Sequence, residues 1–371
     1  MNLAGRIQAV FALKPASRHE LAGVQYVRGL AALMVVADHV SSMTAEPKYY
    51  GRHPFGAVLE AGAVGVDLFF CLSGFIIVYI ALDAAWAPTM GAWVFFKRRF
   101  ARIVPFLWVV IIGYALLRVG GRGSFPVMDY VRAAVVWPFG TVAPSPVWTL
   151  RHEFLFYGVF ALTVLAGRRW LLLAWVASPL VLVAVQRLFG PYVGLGPDIA
   201  IFLFNPIDLL FGLGAALGLL YVRRRDQWPS AALTRIDWAA PATAAGAALV
   251  FVLALALNYQ RDTPWQVIVV GLVSCATLAV ACAVRPPTGF IGGLGRRLGD
   301  ASYCIYLTHT AFVSAVLGLV SHRAHGVPDL AIIIATFLFA TAGGLVLHYL
   351  AERPIVAWSQ RLLFPRRIEG R

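Results

Sequence analysis

The chain has 371 residues, 60% of them hydrophobic and 13% charged, where soluble domains average about 25% charged. Its mean hydropathy is +0.77, more apolar surface than a water-soluble fold of this size hides, which excludes soluble enzymes and disordered chains. The net charge is +14, from 31 basic and 17 acidic residues; in so apolar a chain the excess reads as loop charge on one side of a membrane, not as a nucleic-acid surface.

Long continuous apolar runs predict an all-α, polytopic transmembrane helical bundle and argue against a barrel of short alternating strands. In chain order, ten spanning helices are predicted at 24–43, 64–82, 103–120, 148–166, 170–187, 200–222, 238–257, 266–284, 301–320 and 329–351. Segment 126–140 is amphipathic and reads as a surface helix or a half-helix. The apolar stretch Ala9–Leu13 is short and ends at Lys14, so no signal peptide is expected. The organisation is a cytoplasmic arm (1–23), one membrane domain (24–356) and a cytoplasmic tail (357–371). With the N-terminus inside, 21 Lys and Arg fall on the cytoplasmic side and 8 on the other, while Arg28 and Arg151 lie inside spans. That bias predicts ten spans with both termini cytoplasmic. Cys71, Cys275, Cys282 and Cys304 all lie in apolar runs without CxxC spacing, so neither a metal site nor a disulfide framework is expected.

Ionisable groups inside spans are expensive and mark either function or a satisfied pair. Arg28 and His39 stand eleven residues apart in the first span. Eleven helical steps bring them to one face, about 16 Å apart along the axis. Arg28 would lie near the cytoplasmic end, where a basic anchor is ordinary; His39 would lie near the outer end, with Asp38 beside it. The fourth span runs inward from Trp148 and sets Glu153 near the level of His39. Thr149, Glu153 and Tyr157 share a face, and Trp148 and Tyr157 offer rings for stacking a sugar. A helix-start carboxylate favoured by the dipole is the plainer reading of Glu153. Arg99 and Arg102 share a face at the cytoplasmic end of the third span; guanidinium pairs bind phosphate, although such charges alone read as a topology signal. Ser302, Tyr306 and His309 share a face of the ninth span, where a packed structural histidine is as good a reading as a catalytic one.

Several of these segments resemble one family. Arg28 through Leu33 followed by His39 is similar to the arginine–ten residues–histidine motif of the acyltransferase-3 family of integral-membrane O-acyltransferases. Gly65-Val66-Asp67-Leu68-Phe69-Phe70 with Leu72-Ser73-Gly74-Phe75-Ile76-Ile77 resembles its second-helix signature, and Arg98 to Pro105 its basic motif. Trp148-Thr149-Leu150 with Glu153 and Phe156-Tyr157 resembles its fourth-helix motif. Leu298-Gly299 with Ser302-Tyr303 and Ile305 through His309 resembles its late motif, and Glu352-Arg353-Pro354 its closing one. The resemblance spans about residues 22–356 and leans toward the exopolysaccharide O-acetyltransferase branch.

The resemblance implies a multi-pass protein of the cell inner membrane that moves an acyl group, usually acetyl, from cytoplasmic acyl-CoA to a hydroxyl of an envelope or exopolysaccharide glycan. It implies acetyl-CoA or another acyl-CoA as donor, no metal, and the glycan acceptor and lipid bilayer as partners. Arg28, Arg99 and Arg102 would hold the donor phosphates. His39 would either deprotonate the acceptor hydroxyl or carry the acyl group itself, with Asp38 or Glu153 orienting the imidazole. Trp148, Tyr157, Asp67 and His309 are the candidate acceptor contacts. The competing class is a proton-coupled secondary transporter, in which intramembrane Asp, Glu and His groups form relays. Such a protein favours inverted repeats and helices broken at the midplane, and matching halves are not visible in the sequence. An envelope scaffold leaves His39 with Arg28 unexplained.

Overall fold

A computed structural model of the chain describes residues 21–122, 126–189, 202–228, 239–284, 289–321 and 328–365. The predicted arm up to residue 20 and the tail beyond 365 lie outside the described residues. The described chain is helical: α1 Ala22–Thr44, α2 Gly56–Glu60, α3 Gly65–Ala81, α4 Ala92–Arg122, α5 Val127–Ala134, α6 Val147–Thr163, α7 Arg169–Phe189, α8 Asp208–Arg223, α9 Ala239–Ala256, α10 Pro264–Ala281, α11 Phe290–Ser321, α12 Asp329–Leu347 and α13 Arg353–Leu363. Five helical runs are long and apolar enough to cross a membrane: Gly56–Ala81, Ala92–Gly120, Pro264–Ala281, Gly292–Ser321 and Asp329–Leu363. The protein is therefore an all-α, polytopic membrane protein.

Several predicted boundaries are corrected. The third helix starts at Ala92 rather than 103, so the basic run 97–102 is helical and Pro105 lies inside the helix. Proline removes one backbone donor there, and the long apolar stretch that follows carries the helix through. The ninth begins at Phe290, eleven residues before the predicted start, and takes Arg296 and Arg297 into the helix. The tenth runs on through a π-helical turn at His348–Glu352 into α13, so the predicted tail is helical as far as Leu363. The amphipathic segment 126–140 forms only the short helix α5, which buries Tyr130 and Ala133 and exposes Val127, Met128 and Val131.

The described residues form two compact units, one within 90–172 and 346–365, the other within 21–89 and 173–345. In the first, α4 packs against α5, α6 and α13. In the second, α1 is central and packs against α3, α9, α10 and α11, while α3 pairs with α8. Small residues let these backbones touch, as is usual where lipid supplies no hydrophobic drive between helices. A Cβ on Gly299 would lie 2.1 Å from the Gln25 carbonyl oxygen, and one on Gly214 would lie 1.9 Å from that of Cys71.

Both seams run parallel. Gly29 meets Leu298, His39 meets His309, and the Tyr49 hydroxyl lies 2.7 Å from that of Ser314, so α1 and α11 advance together. Phe70 meets Phe211, Cys71 meets Gly214, and Phe75 meets Gly218, so α3 and α8 do the same. The α1–α11 seam continues into a fully buried apolar layer of Ala32, Val36, Val40, Ala301 and Ile305, closed by Ile332 and Ala340 of α12.

Candidate functional site

Helix α1 is unbroken from Ala22 to Thr44, so Arg28 and His39 do share a face. Tight contact at Gly29 and Gly299 fixes the register of α1 on α11; ten residues further along each helix come His39 and His309. Their rings meet edge to face, 4.8 Å between centres. Nδ1 of His39 lies 3.1 Å from the Val35 carbonyl oxygen and 3.3 Å from Oδ2 of Asp38. Donation from Nδ1 leaves the Nε2 lone pair as the basic position of the neutral ring. His39 keeps about a third of its side chain exposed (32%), and Asp38 15%.

His309 is fully buried. Its Nδ1 donates to the Tyr306 carbonyl at 2.6 Å, while its Nε2 is buried with no hydrogen-bond partner. A buried polar atom without a partner costs about 1–3 kcal/mol. Here the buried ring that carries it packs edge to face with His39.

Asp67 and Tyr157, both expected as acceptor contacts, are buried and engaged by neighbouring side chains. Asp67 is 0% exposed. Arg261 donates to its Oδ2 from Nη2 at 2.9 Å and from Nε at 3.1 Å, and Tyr259 donates to Oδ1 at 2.6 Å. Nη2 of Arg261 also reaches the Ala63 carbonyl at 2.5 Å. Burial, reinforced by the Asp67 carboxylate, pushes the Tyr259 phenol far above its ordinary range, so it remains a donor. Burial by itself would lower Arg261, but Asp67 outweighs it and raises the guanidinium further. Asp67 thus pins the 258–262 loop. Sequence reasoning missed both partners, since Arg261 looked like one more loop cation and Tyr259 carried no signal. Tyr157 is 2% exposed; its hydroxyl donates to Glu153, and its ring packs against the Arg99 guanidinium.

The two predicted phosphate ligands part company. Arg99 Cζ lies 5.8 Å from the ring centres of both Phe95 and Tyr157, and its Nε is buried without a hydrogen-bond partner. Arg102 is 3.0 Å from Oε1 of Glu352, a fully buried carboxylate whose Oε2 meets Nδ1 of His348 at 2.7 Å. Glu352 sits at the end of the π-helical turn, a distortion that recurs at functional sites. Arg102 is therefore an ion-pair partner first, whereas Arg99 holds unspent donor capacity. Arg28 donates to Gln25 at 3.1 Å. Trp148 is half-buried and stands edge-on to His152, 6.1 Å between ring centres. Among the described residues, no group of three or more His, Cys, Asp or Glu is placed to hold a metal ion.

Two cavities lie near α1, one walled by the turn that packs on its C-terminal half and one beside its N-terminal half. One, of about 480 Å³, lies where α2 and the 61–64 turn face the 258–262 loop. The other, of about 460 Å³, is lined by Tyr26, Leu30, Leu33, Ala244 and Leu298 and is almost wholly apolar.

The family described as "Acyltransferase domain" matches residues 21–349. The chain belongs to this acyltransferase family. It is 32% identical over 324 residues to the exopolysaccharide production protein ExoZ of Rhizobium meliloti, covering 83% of this chain and 94% of that protein. It is 26% identical over 384 residues to the acyltransferase MdmB of Streptomyces mycarofaciens, covering 92% of each. A shorter likeness, 35% over 79 residues, links it to protein 2 of the picA locus of Rhizobium radiobacter, covering 21% of this chain and 36% of that one. No solved structure matches the chain. The acyltransferase thus carries His39, Asp38, Arg28, His309, Arg99 and Glu153 within its matched region.

Proposed function

We propose that the acyltransferase moves an acetyl group from cytoplasmic acetyl-CoA to a hydroxyl of an exopolysaccharide or other envelope glycan, at the cell inner membrane. The observation that carries this reading is the His39 imidazole. Its Nδ1 is held by Val35 and Asp38, its basic Nε2 is left for chemistry, and a buried second imidazole stands against it. Nε2 takes the proton of the acceptor hydroxyl as its oxygen attacks the thioester carbonyl. The carbon–sulfur bond breaks, and the CoA thiolate leaves to be protonated. Asp38 favours the imidazolium that forms. Transfer through an acyl-His39 intermediate uses the same groups. Relatedness to an exopolysaccharide production protein supports the glycan acceptor.

Arg99 supplies the phosphate contact for the donor, with Arg28 and Arg102 as further cations; the buried, unpartnered Nε of Arg99 supports this. Glu153, fixed by Tyr157, is the second carboxylate of the chemistry, and Trp148 an acceptor ring. The catalytic domain spans 24–356, with the arm 1–23 and the tail 357–371 in the cytoplasm. Ten spans with both termini inside accord with the parallel seams, because a first and ninth span, or a second and sixth, must run the same way. Reporter fusions at Arg169 and Arg224 then read cytoplasmic and one at Arg261 extracytoplasmic.

The deciding experiment is mass spectrometry of surface polysaccharide from cells with and without the protein. A loss of acetyl from the repeat unit supports the reading, and identical polysaccharide overturns it. Arg99→Ala should weaken acetyl-CoA binding by roughly 1.5–3 kcal/mol, the value of a hydrogen bond to a charged group, in a protein that still folds. Arg102→Ala should instead lower stability by about 3 kcal/mol, the low end for a broken buried pair given Arg102's partial exposure.

A further inference from the structure

The cavity beside the 258–262 loop is built from polar chain that a lipid-facing surface has no use for. Its walls include Glu60 of α2, Ala63 of the following turn, and Asn258, Gln260, Arg261 and Asp262. The volume of about 480 Å³ lies within the range of small-ligand sites, about 300–1,000 Å³. The loop is fixed rather than loose. Asn258 takes the left-handed conformation, φ 44°, two residues past the end of α9, and the Tyr259 amide returns to the Ala254 carbonyl at 2.9 Å, which closes the helix as a left-handed cap. The chain then dives to Asp67 through Tyr259 and Arg261, leaving Asn258, Gln260 and Asp262 exposed.

The turn that walls this cavity also packs on the backbone of α1 just before His39. A Cβ on Gly62 would lie 2.2 Å from the Met34 carbonyl oxygen and 3.4 Å from the Asp38 amide nitrogen, so one turn of backbone separates the cavity wall from α1 at Asp38. Arg261 lines the cavity and interacts electrostatically with Asp38. Mixed carboxylates, amides and one guanidinium around an open space of this size suit a ligand rich in hydroxyl groups. They offer both acceptors and donors without a single dominant charge.

We propose that this cavity is the acceptor subsite, holding a neutral sugar unit through Glu60, Asn258, Gln260 and Asp262 next to the unit whose hydroxyl is acylated; this rests on the glycan-acylation reading above. Arg261 and Tyr259 act as positioning residues, since they hold the loop on Asp67.

The test uses full-length protein in lipid nanodiscs with radiolabelled acetyl-CoA. Two acceptors are assayed separately: the free oligosaccharide repeat from de-O-acetylated surface polysaccharide, and the same repeat linked to its polyprenyl carrier. The variants are Glu60→Ala with Gln260→Ala, which remove polar contacts, and Ala57→Trp, which narrows the mouth from an exposed position and takes away none. Both should raise the KM for the acceptor at least tenfold while the KM for acetyl-CoA stays within twofold. An effect with the free oligosaccharide assigns the cavity to the sugar itself, and an effect confined to the carrier-linked form assigns it to the sugar next to the carrier. An acceptor KM within twofold of wild type in both variants overturns the subsite while leaving the acyltransfer reading intact. Wild-type protein that transfers acetyl to neither acceptor overturns the reading and the subsite with it.

Discussion

Near the two ends of α1 lie cavities of nearly the same size and opposite chemistry. At the His39 end the walls are carboxylates, amides and a guanidinium. At the Arg28 end they are leucines, glycines and a tyrosine. One helix, buried along most of its length, thus joins a polar compartment to an apolar one. The polar end is supported by bonds whose loss is costly.

The sharpest way to break the comparison is His39→Ala. Loss of a general base removes a factor of roughly 10²–10⁴ in rate, and donor binding should persist because Arg28 is about 16 Å away along the helix. Turnover and acetyl-CoA affinity, both normalised to folded protein, check this; substantial turnover would transfer the chemistry to His309 or Glu153. Tyr259→Phe comes next. It deletes a 2.6 Å bond to a fully buried carboxylate, worth about 1.5–3 kcal/mol. It should lower thermal stability and loosen the acceptor loop, and a melting point equal to wild type would mean that Arg261 alone holds Asp67.

Gly299→Ala probes the seam that serves both ends. The added methyl meets the Gln25 carbonyl, and overpacking of this kind costs about 1–3 kcal/mol. Turnover should fall by more than the loss of folded protein explains, because the shift is passed along α11 to His309. The smallest effect belongs to the apolar end. Ala244→Leu adds volume at an exposed position of that cavity and should leave the KM for donor and acceptor within twofold. A large change there would abolish the distinction between the two ends.

How far the sequence could be read depends on what each feature needs. Helicity and membrane character follow from apolar runs, so a helix stands at each of the ten predicted positions. The shared face of Arg28 and His39 needs only the helical period. Boundaries failed where polar residues continue a helix: Arg98, Arg99 and Arg102 in α4, Arg296 and Arg297 in α11, and Arg353 to Gln360 in α13 all looked like loop or tail. Spatial partners were harder still. Asp67 with Arg261, and Arg102 with Glu352, are pairs that no periodicity reports, because they depend on which helices lie side by side. His309 was visible as a polar group in a span, but its place against His39 depends on the parallel seam. That seam follows from close approach at glycines, which one sequence does not align to its partners.

The parallel seam also has a consequence for how the protein is made. Tyr49 and Ser314, joined by a hydrogen bond, lie 265 residues apart in the chain. At synthesis rates of about 5–20 residues per second, α1 waits roughly 13–50 s for its partner. Throughout that interval the α11 surface that will meet His39 has not been translated. A nascent chain of this design must carry α1 without its α11 partner for most of its synthesis.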